Sequence, residues 1–461
     1  MFPIEPRTIP TTCRRGGLRA VAVAVTLAAA AAIPAAGCGD DLRDPDASAA
    51  GAPASYAIAA GFGGLAITEL TRERVVDDVY HYELAVRVGT TPHAVLRLHR
   101  IVRERAPWQP RPTPRAIMLL HGDFSTFASN FAPTLISDAA APDHGLAVFL
   151  ARRDLDVWGV DRRWTQAALD DDLTDLGDMT FAAAVADTEQ ALLYARWVRA
   201  LGGAGWGRLA LGGFSRGAQL TYATAGYEAT LPAWQRQVDA IVPLDIYARL
   251  SPEDADLRQG ACDRRDEERA QLAAGELGGD DTFFSLAGEL ARAAPDDESP
   301  LFGAPYSNRD TLLTLLGQTY FFFPATPAYH LAGAELADDW PVALRFTDEA
   351  LAADWFAAAP PWQAMAELAD GDAMWCGDEP SLADHLEDVT VPVLYVGAAG
   401  GFGDHGLYTT AQLGSTDVTT RVVRTREPGD EVEDIGHGDL VLGRDAPTQV
   451  WGPVADWLRA R

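Results

Sequence analysis

The sequence contains no lysine: all 37 of its basic side chains are arginine. Schiff-base lysine chemistry, a Walker A phosphate loop and the strand lysine of a kinase are therefore excluded. Positive charge is scarce overall, 37 basic against 66 acidic groups for a formal charge of −29, and no basic run breaks the acidic surface. Such a surface repels a phosphate backbone, so nucleic acid is not an expected partner. Beyond residue 37 no purely apolar tract reaches the length of a membrane span. Cysteine is limited to four residues, and neither Cys262 nor Cys376 has a cysteine or histidine at zinc-ligand spacing, so no metal and no cofactor are expected. What is present is an ordinary globular composition, 48% hydrophobic with 42 Gly and 29 Pro, which sets aside collagen-like, coiled-coil and wholly disordered chains.

Arg14, Arg15 and Arg19 precede an apolar stretch from Ala20 to Ile33, and Ala35-Ala36-Gly37-Cys38 follows it. This order resembles a bacterial lipoprotein export signal, which implies loss of residues 1–37 and a lipid on Cys38; cleavage near Ala36 by an ordinary signal peptidase is the alternative. The body is then more acidic still, with 33 basic and 65 acidic groups. Residues 38–54, rich in Asp, Ala, Pro and Gly, read as a disordered tether of ~20 Å root-mean-square reach. The expected location is the periplasmic or cell-surface face of a membrane, reached through the lipid, or else the exterior. Cys13 leaves with the signal. For the two remaining cysteines, Cys262 and Cys376, a disulfide is expected in an oxidising compartment, two buried thiols being the alternative.

From Leu65 the chain alternates polar and apolar residues. Tyr82 to Val88 and Ala94 to Val102 have period two and flank Gly89-Thr90-Thr91-Pro92, which predicts an antiparallel hairpin with His81, His93 and His99 on its solvated face. After Pro107 to Pro114 the texture changes to continuous apolar runs at Ile117–Leu120, Asp156–Val160, Arg208–Leu211, Val238–Leu244, Val391–Val396 and Thr419–Val423, with helical stretches between most of them. That pattern predicts a mostly parallel central sheet with helices on both faces. The helices include one beginning after Thr180 as N-cap and one from Arg216 to Tyr227. The acidic segment Asp170 to Asp178 lacks the closing Glu of an EF-hand and reads as a solvated loop.

Gly213-Phe214-Ser215-Arg216-Gly217 ends the run around Leu209–Leu211 and opens a helix. Strand, tight turn and helix in that order are what a nucleophile elbow requires, since small neighbours permit the turn and the helix start aims N–H groups at a developing oxyanion. A serine hydroxyl needs a base, and His437, between two glycines in the loop before the C-terminal helix, is the best placed of the nine histidines. For the acid, Asp404 in Gly400-Gly401-Phe402-Gly403-Asp404-His405 gives the chain order Ser, Asp, His; Asp245, directly after Val242-Pro243-Leu244, is the alternative.

These features resemble the α/β-hydrolase superfamily over Leu65 to Arg461 apart from one insertion. His121-Gly122-Asp123 looks like the superfamily's oxyanion loop, and the resemblance implies that the amides of Asp123 and Arg216 form the oxyanion hole, with Phe124 replacing Asp123 if the loop is shifted. His121 then braces the loop. Leu155-Asp156-Val157-Trp158-Gly159-Val160-Asp161-Arg162-Arg163 and His437-x-Asp439-Leu440-x-x-Gly443 are similar to motifs of the acid and gastric lipase type, although Arg216 stands where that group has Gln.

The implied organisation is an α/β-hydrolase core of residues 55–245 and 391–461 around a large helical cap insertion, residues 246–390. The cap is rich in aromatic residues, among them Phe283-Phe284, Tyr320 to Phe323, Trp340, Trp355-Phe356, Trp362 and Trp375, most forming its own core and a few available to an acyl pocket. The expected activity is that of a serine esterase or lipase acting on a small-molecule or lipid ester. A peptidase or amidase of the same fold, and a non-catalytic binding lipoprotein, are the alternatives.

Overall fold

The computed structural model describes residues 66–321, 326, 328–378 and 381–461. The export signal, the tether with Cys38, the first residues assigned to the core, and Phe322 and Phe323 of the cap lie outside the described residues.

The period-two segments form strands β1 (Ala66–Val76), β2 (Val79–Arg87) and β3 (Val95–Ala106), paired antiparallel in sequence, with Tyr82 opposite Arg100 and Leu84 opposite Leu98. The apolar runs form β4 (Ala116–Leu120), β5 (Asp156–Asp161), β6 (Leu209–Phe214), β7 (Val238–Leu244), β8 (Val393–Ala398) and β9 (Val418–Val423). Across the sheet the order is β1-β2-β3-β5-β4-β6-β7-β8-β9, with the short strand Gln109–Pro110 paired to β3. β3 meets β5 antiparallel, and every later neighbour is parallel.

Continuous apolar runs follow from cover on both faces. Along β4, Ile117 and Leu119 enter one core with Phe127, Leu146, Val450 and Trp451, whereas Ala116, Met118 and Leu120 enter a second with Phe181, Leu192, Ala218 and Tyr222. Successive side chains on a strand point oppositely, so the two cores lie on opposite faces. Helix Phe181–Leu201 starts where expected, the Thr180 hydroxyl accepting from the Ala183 amide at 3.1 Å.

Between β7 and β8 the chain forms helices Ala255–Ala274, Thr282–Ala293, Asn308–Gly317, Glu349–Ala357 and Met365–Cys376. Two small antiparallel sheets join them, residues 278–280 with 362–364 and 334–337 with 340–344. A disulfide links Cys262 to Cys376 across 114 positions, tying the first of these helices to the last. No helix among the described residues is long and apolar enough to cross a membrane.

One expectation fails here. His81, His93 and His99 are buried, at 4%, 5% and 4% exposure, rather than solvated. Helix Phe127–Phe131 lays the Phe127 ring over Gly159 of β5 and stacks it on His99 at 4.7 Å. The acidic segment folds back onto the hairpin, placing Asp175 2.7 Å and Asp171 3.1 Å from the two nitrogens of His93. Burial alone would lower the His93 titration point; these carboxylates outweigh it and hold the imidazole above its ordinary value. Strand periodicity reports a polar face, but distant segments decide whether water reaches it.

Candidate active site

Ser215 follows β6 and precedes helix Arg216–Thr230, with φ 55° and ψ −130°. A non-glycine residue there stores strain of ~1–3 kcal/mol, held by the surrounding structure. Its amide continues the sheet, donating to the Leu244 carbonyl at 3.0 Å. Both flanking glycines are enforced by backbone proximity. A Cβ on Gly213 would lie 2.1 Å from the Gly217 carbonyl oxygen, and one on Gly217 would lie 2.1 Å from that of Leu120. The turn thus packs against the end of β4 and the loop His121 to Ser125 that leaves it.

His437 is carried between Ile435 and Asp439 and anchored through its own backbone, its amide donating to the His330 carbonyl at 2.9 Å. The ring stacks on Phe214 at 4.4 Å and is 2% exposed. Its loop is braced by His330, whose Nε2 lies 2.9 Å from the Asp434 carbonyl, and by Asp439, which accepts the amides of Gly333 and Gly436, each at 2.8 Å.

The carboxylate beside His437 is Asp245, not Asp404. Nδ1 of His437 lies 2.7 Å from Oδ2 of Asp245, which is fully buried at the end of β7. Asp245 also accepts the amides of Ala398 and Gly403 at 2.8 Å and of Phe402 at 3.1 Å. Asp404 is exposed and pairs with Arg424 at 2.9 Å. The loop after β8 does serve the histidine, but through its backbone: its N–H groups orient Asp245 while its carboxylate faces solvent.

The loop after β4 lies against the elbow, a Cβ on Gly122 being 3.1 Å from that of Ser215. The Gly122 amide is committed to Asn130 Oδ1 at 2.8 Å. The Arg216 amide belongs to the first turn of its helix, where N–H groups have no intrahelical acceptor. His121 Nε2 accepts the Arg162 amide at 3.1 Å. Burial, reinforced by Arg162, pushes the His121 imidazole down to about 3, so it stays neutral and braces the loop.

If the Asp123 amide faces an oxyanion, as the sequence resemblance implies, its carboxylate would oppose the charge. The structure occupies that carboxylate elsewhere. Arg216 Nε donates to Oδ2 at 3.1 Å and Gln363 Nε2 to Oδ1 at 2.6 Å. Burial would raise the Asp123 titration point, but Arg216 and Arg162 outweigh it and keep the group ionised. The buried Arg216 guanidinium also reaches Gln219 at 3.0 Å and Asp372 at 3.5 Å and stacks over Trp375 at 4.2 Å. Gln363, Asp372 and Trp375 belong to the segment between β7 and β8, so the pentapeptide arginine and the Asp123 side chain form one network joining the turn to that segment. Sequence reading missed these partners; the one local signal was an arginine inside an elbow whose surroundings are apolar.

A cavity of about 590 Å³ lies here, with Ser215, His437, Asp123 and Arg216 among the residues that line it. Its walls are mainly apolar, including Phe124, Phe283, Phe284, Leu315, Trp355 and Trp375. Of the cap aromatics, Phe283, Phe284, Trp355 and Trp375 thus face the cavity, Phe356 is buried in the larger core, and Phe321 and Trp340 are exposed.

No protein-family model matches the sequence, nor does any curated protein. Solved structures do match. A candidate lipase from Sulfolobus solfataricus is 14% identical with a TM-score of 0.57, over 85% of this chain and 99% of that one. A thermophilic esterase from Thermogutta terrifontis is also 14% identical, over 82% and 98%, with a TM-score of 0.41, and an enol-lactonase from Burkholderia xenovorans is 13% identical over 79% and 97%, with a TM-score of 0.41. At such identities the likeness is one of fold. The likeness to the Sulfolobus structure, together with the sheet order, shows that the chain has the α/β-hydrolase fold.

Proposed function

We propose that this protein is an exported serine hydrolase cleaving carboxylic esters with a sizeable apolar part, through an acyl-enzyme. The observation that carries the reading is His437, paired with the buried Asp245 at 2.7 Å and lining the same cavity as Ser215. With Nδ1 committed to Asp245, Nε2 is the ring nitrogen left to act on the serine side. It takes the Ser215 proton as Oγ attacks the ester carbonyl, and the imidazolium is stabilised by Asp245. The tetrahedral oxyanion is held by the amides of Asp123 and Arg216, a contribution of roughly 10²–10³ in rate per donor. Collapse expels the alcohol, which receives the proton from His437. Water repeats the sequence, attacking the acyl group as His437 takes its proton, and Ser215 leaves with the proton restored.

Apolar walls around few polar groups favour an ester's hydrocarbon portion over a peptide, whose flanking amides would lose water without replacement partners. The fold shared with a candidate lipase agrees with this at the level of architecture. Export and lipid attachment at Cys38 belong to the same proposal and rest on residues 14–38 of the sequence.

The test is labelling by a fluorophosphonate, followed by hydrolysis of p-nitrophenyl esters of increasing chain length beside matched p-nitroanilides. Labelling that disappears in Ser215→Ala, with esters turned over faster than anilides, is expected. Equal labelling of Ser215→Ala would sink the nucleophile assignment, and no labelling of the wild type would favour a binding protein. Faster anilide turnover would favour an amidase.

A further inference from the structure

Three successive amides follow His121 in the loop beside Ser215, and two of them are already committed. Gly122 donates to Asn130 Oδ1 at 2.8 Å, and Phe124 donates to Gln363 Oε1 at 3.4 Å. The Asp123 amide between them has no acceptor among the described residues. Backbone N–H groups shielded from water are ordinarily paired. An unpaired one in a residue that lines the cavity is therefore the donor left for a ligand.

Gln363 makes this selection. It lies 2% exposed on the short strand 362–364, in the segment between β7 and β8. Its Nε2 donates to Asp123 Oδ1 at 2.6 Å while its Oε1 accepts the Phe124 amide. A carboxylate can only accept and a backbone N–H can only donate, so a flipped carboxamide would lose both bonds. We propose that Gln363 is a positioning residue for the oxyanion hole, an inference that rests on the serine-hydrolase reading above. It takes up the Phe124 amide and leaves that of Asp123 to the reaction.

Backbone strain explains why a clamp is needed. Phe124 has φ 39°, in the left-handed region that a bulky side chain avoids. Such a conformation costs ~1–3 kcal/mol and persists only where the surroundings over-determine it. Gln363 restrains this residue through its amide, and Phe284 restrains it through its ring, stacked at 4.4 Å. The peptide that carries the Asp123 amide is thereby held from both ends, by Asn130 at Gly122 and by Gln363 at Asp123 and Phe124.

The same contact governs charge. Gln363 and Arg216 between them occupy both oxygens of the Asp123 carboxylate. Releasing Oδ1 would free that carboxylate to turn toward the developing oxyanion and oppose it. Loss of Gln363 should thus raise the energy of the transition state and leave the neutral ester as well bound as before.

The experiment compares Gln363→Leu with the wild type on a p-nitrophenyl ester, and measures inhibition by a trifluoromethyl ketone carrying the same acyl chain. Attack of Ser215 Oγ on the ketone carbon gives a hemiketal whose oxyanion occupies the hole. A drop in kcat of about 10²-fold is expected, with KM within about threefold and the ketone Ki raised by a factor similar to the drop in kcat. The carbinol of the same shape forms no adduct, and its Ki should stay within about twofold. Trp362→Phe, at the neighbouring strand position whose indole bonds the Ala168 carbonyl, should match the wild type in every constant. Should Gln363→Leu fail to fold, Gln363→Asn, one methylene too short to reach both partners, decides on the same measurements. Unchanged kcat and ketone Ki in a folded variant, or equal losses for ketone and carbinol, overturn the inference, while labelling of the wild type at Ser215 keeps the esterase reading standing. A wild type that neither labels nor binds the ketone overturns both.

Discussion

The Asp245 carboxylate sits 2.7 Å from Nδ1 of His437, a residue 192 positions further along the chain, and three backbone amides fix its orientation. Replacing it by Asn keeps the shape but presents an amide that no longer selects the required imidazole tautomer. Asp245→Asn is therefore expected to lower kcat on a p-nitrophenyl ester by about 10⁴ with little change in KM. Asp404→Asn, which disturbs only an exposed pair with Arg424, should change kcat by less than about threefold. The opposite ranking would mean that the active conformation reorganises the loop after β8.

How much of this was legible in the sequence depended on how local each constraint was. The parallel strands could be read because cover on both faces leaves a continuous apolar run, as in β4. The elbow could be read because Gly213, Ser215 and Gly217 carry all its steric demands within five residues. The expected acid was Asp404, with Asp245 the alternative, and the sequence could not separate them, because both follow adjacent parallel strands at the same end of the sheet. What separates them is the convergence of the 398, 402 and 403 amides on one carboxylate, a tertiary fact. The hairpin histidines were misread for a similar reason, their cover coming from Phe127, Asp161 and Asp175. Arg216 gave no hint of its partners Asp123 and Asp372, which lie 93 and 156 positions away.

Gly217 offers a steric test of the elbow. The nearest atoms to an added methyl are the carbonyl oxygens of Leu120 and His121, at 2.1 and 2.5 Å, and backbone cannot swing aside as a side chain can. Gly217→Ala should push the turn away from the oxyanion loop, and a displacement near 1 Å costs about 10²-fold in rate. Fluorophosphonate labelling kinetics would show it. Gly207→Ala, where nothing lies within 4 Å, is the control and should label at the wild-type rate.

Arg216 links the turn at Ser215 to the helices between β7 and β8 by charge. Arg216→Met leaves the buried Asp372 and the half-buried Asp123 with fewer counter-charges, although Asp372 keeps Arg264 at 2.7 Å and Asp123 keeps Gln363. Removing one partner of a buried ion pair typically costs ~3–5 kcal/mol, and a loss of that order is expected in urea unfolding. The backbone amide survives the substitution, so the folded fraction should still label at Ser215. A stability change below about 1 kcal/mol would show that the network contributes little to holding the cap.

Glu268, in the first cap helix, makes the network sensitive to pH. Its Oε2 is buried without a hydrogen-bond partner, and burial together with nearby Asp372 pushes its carboxyl up to about 8 from an ordinary 4.5. Between those values the folded protein holds a proton that the unfolded chain has released. By linkage, the contribution of this group to stability is fully present below about pH 4.5, declines as pH rises through that window and is lost above about 8. Glu268→Gln mimics the protonated form at every pH. Its urea midpoint should match the wild type near pH 5 and exceed it increasingly at pH 7 and 9, a difference that cancels the other titrating carboxyls common to both proteins. A gap that stays constant with pH, or that favours the wild type at pH 9, would place Glu268 in solvent as an ordinary carboxylate.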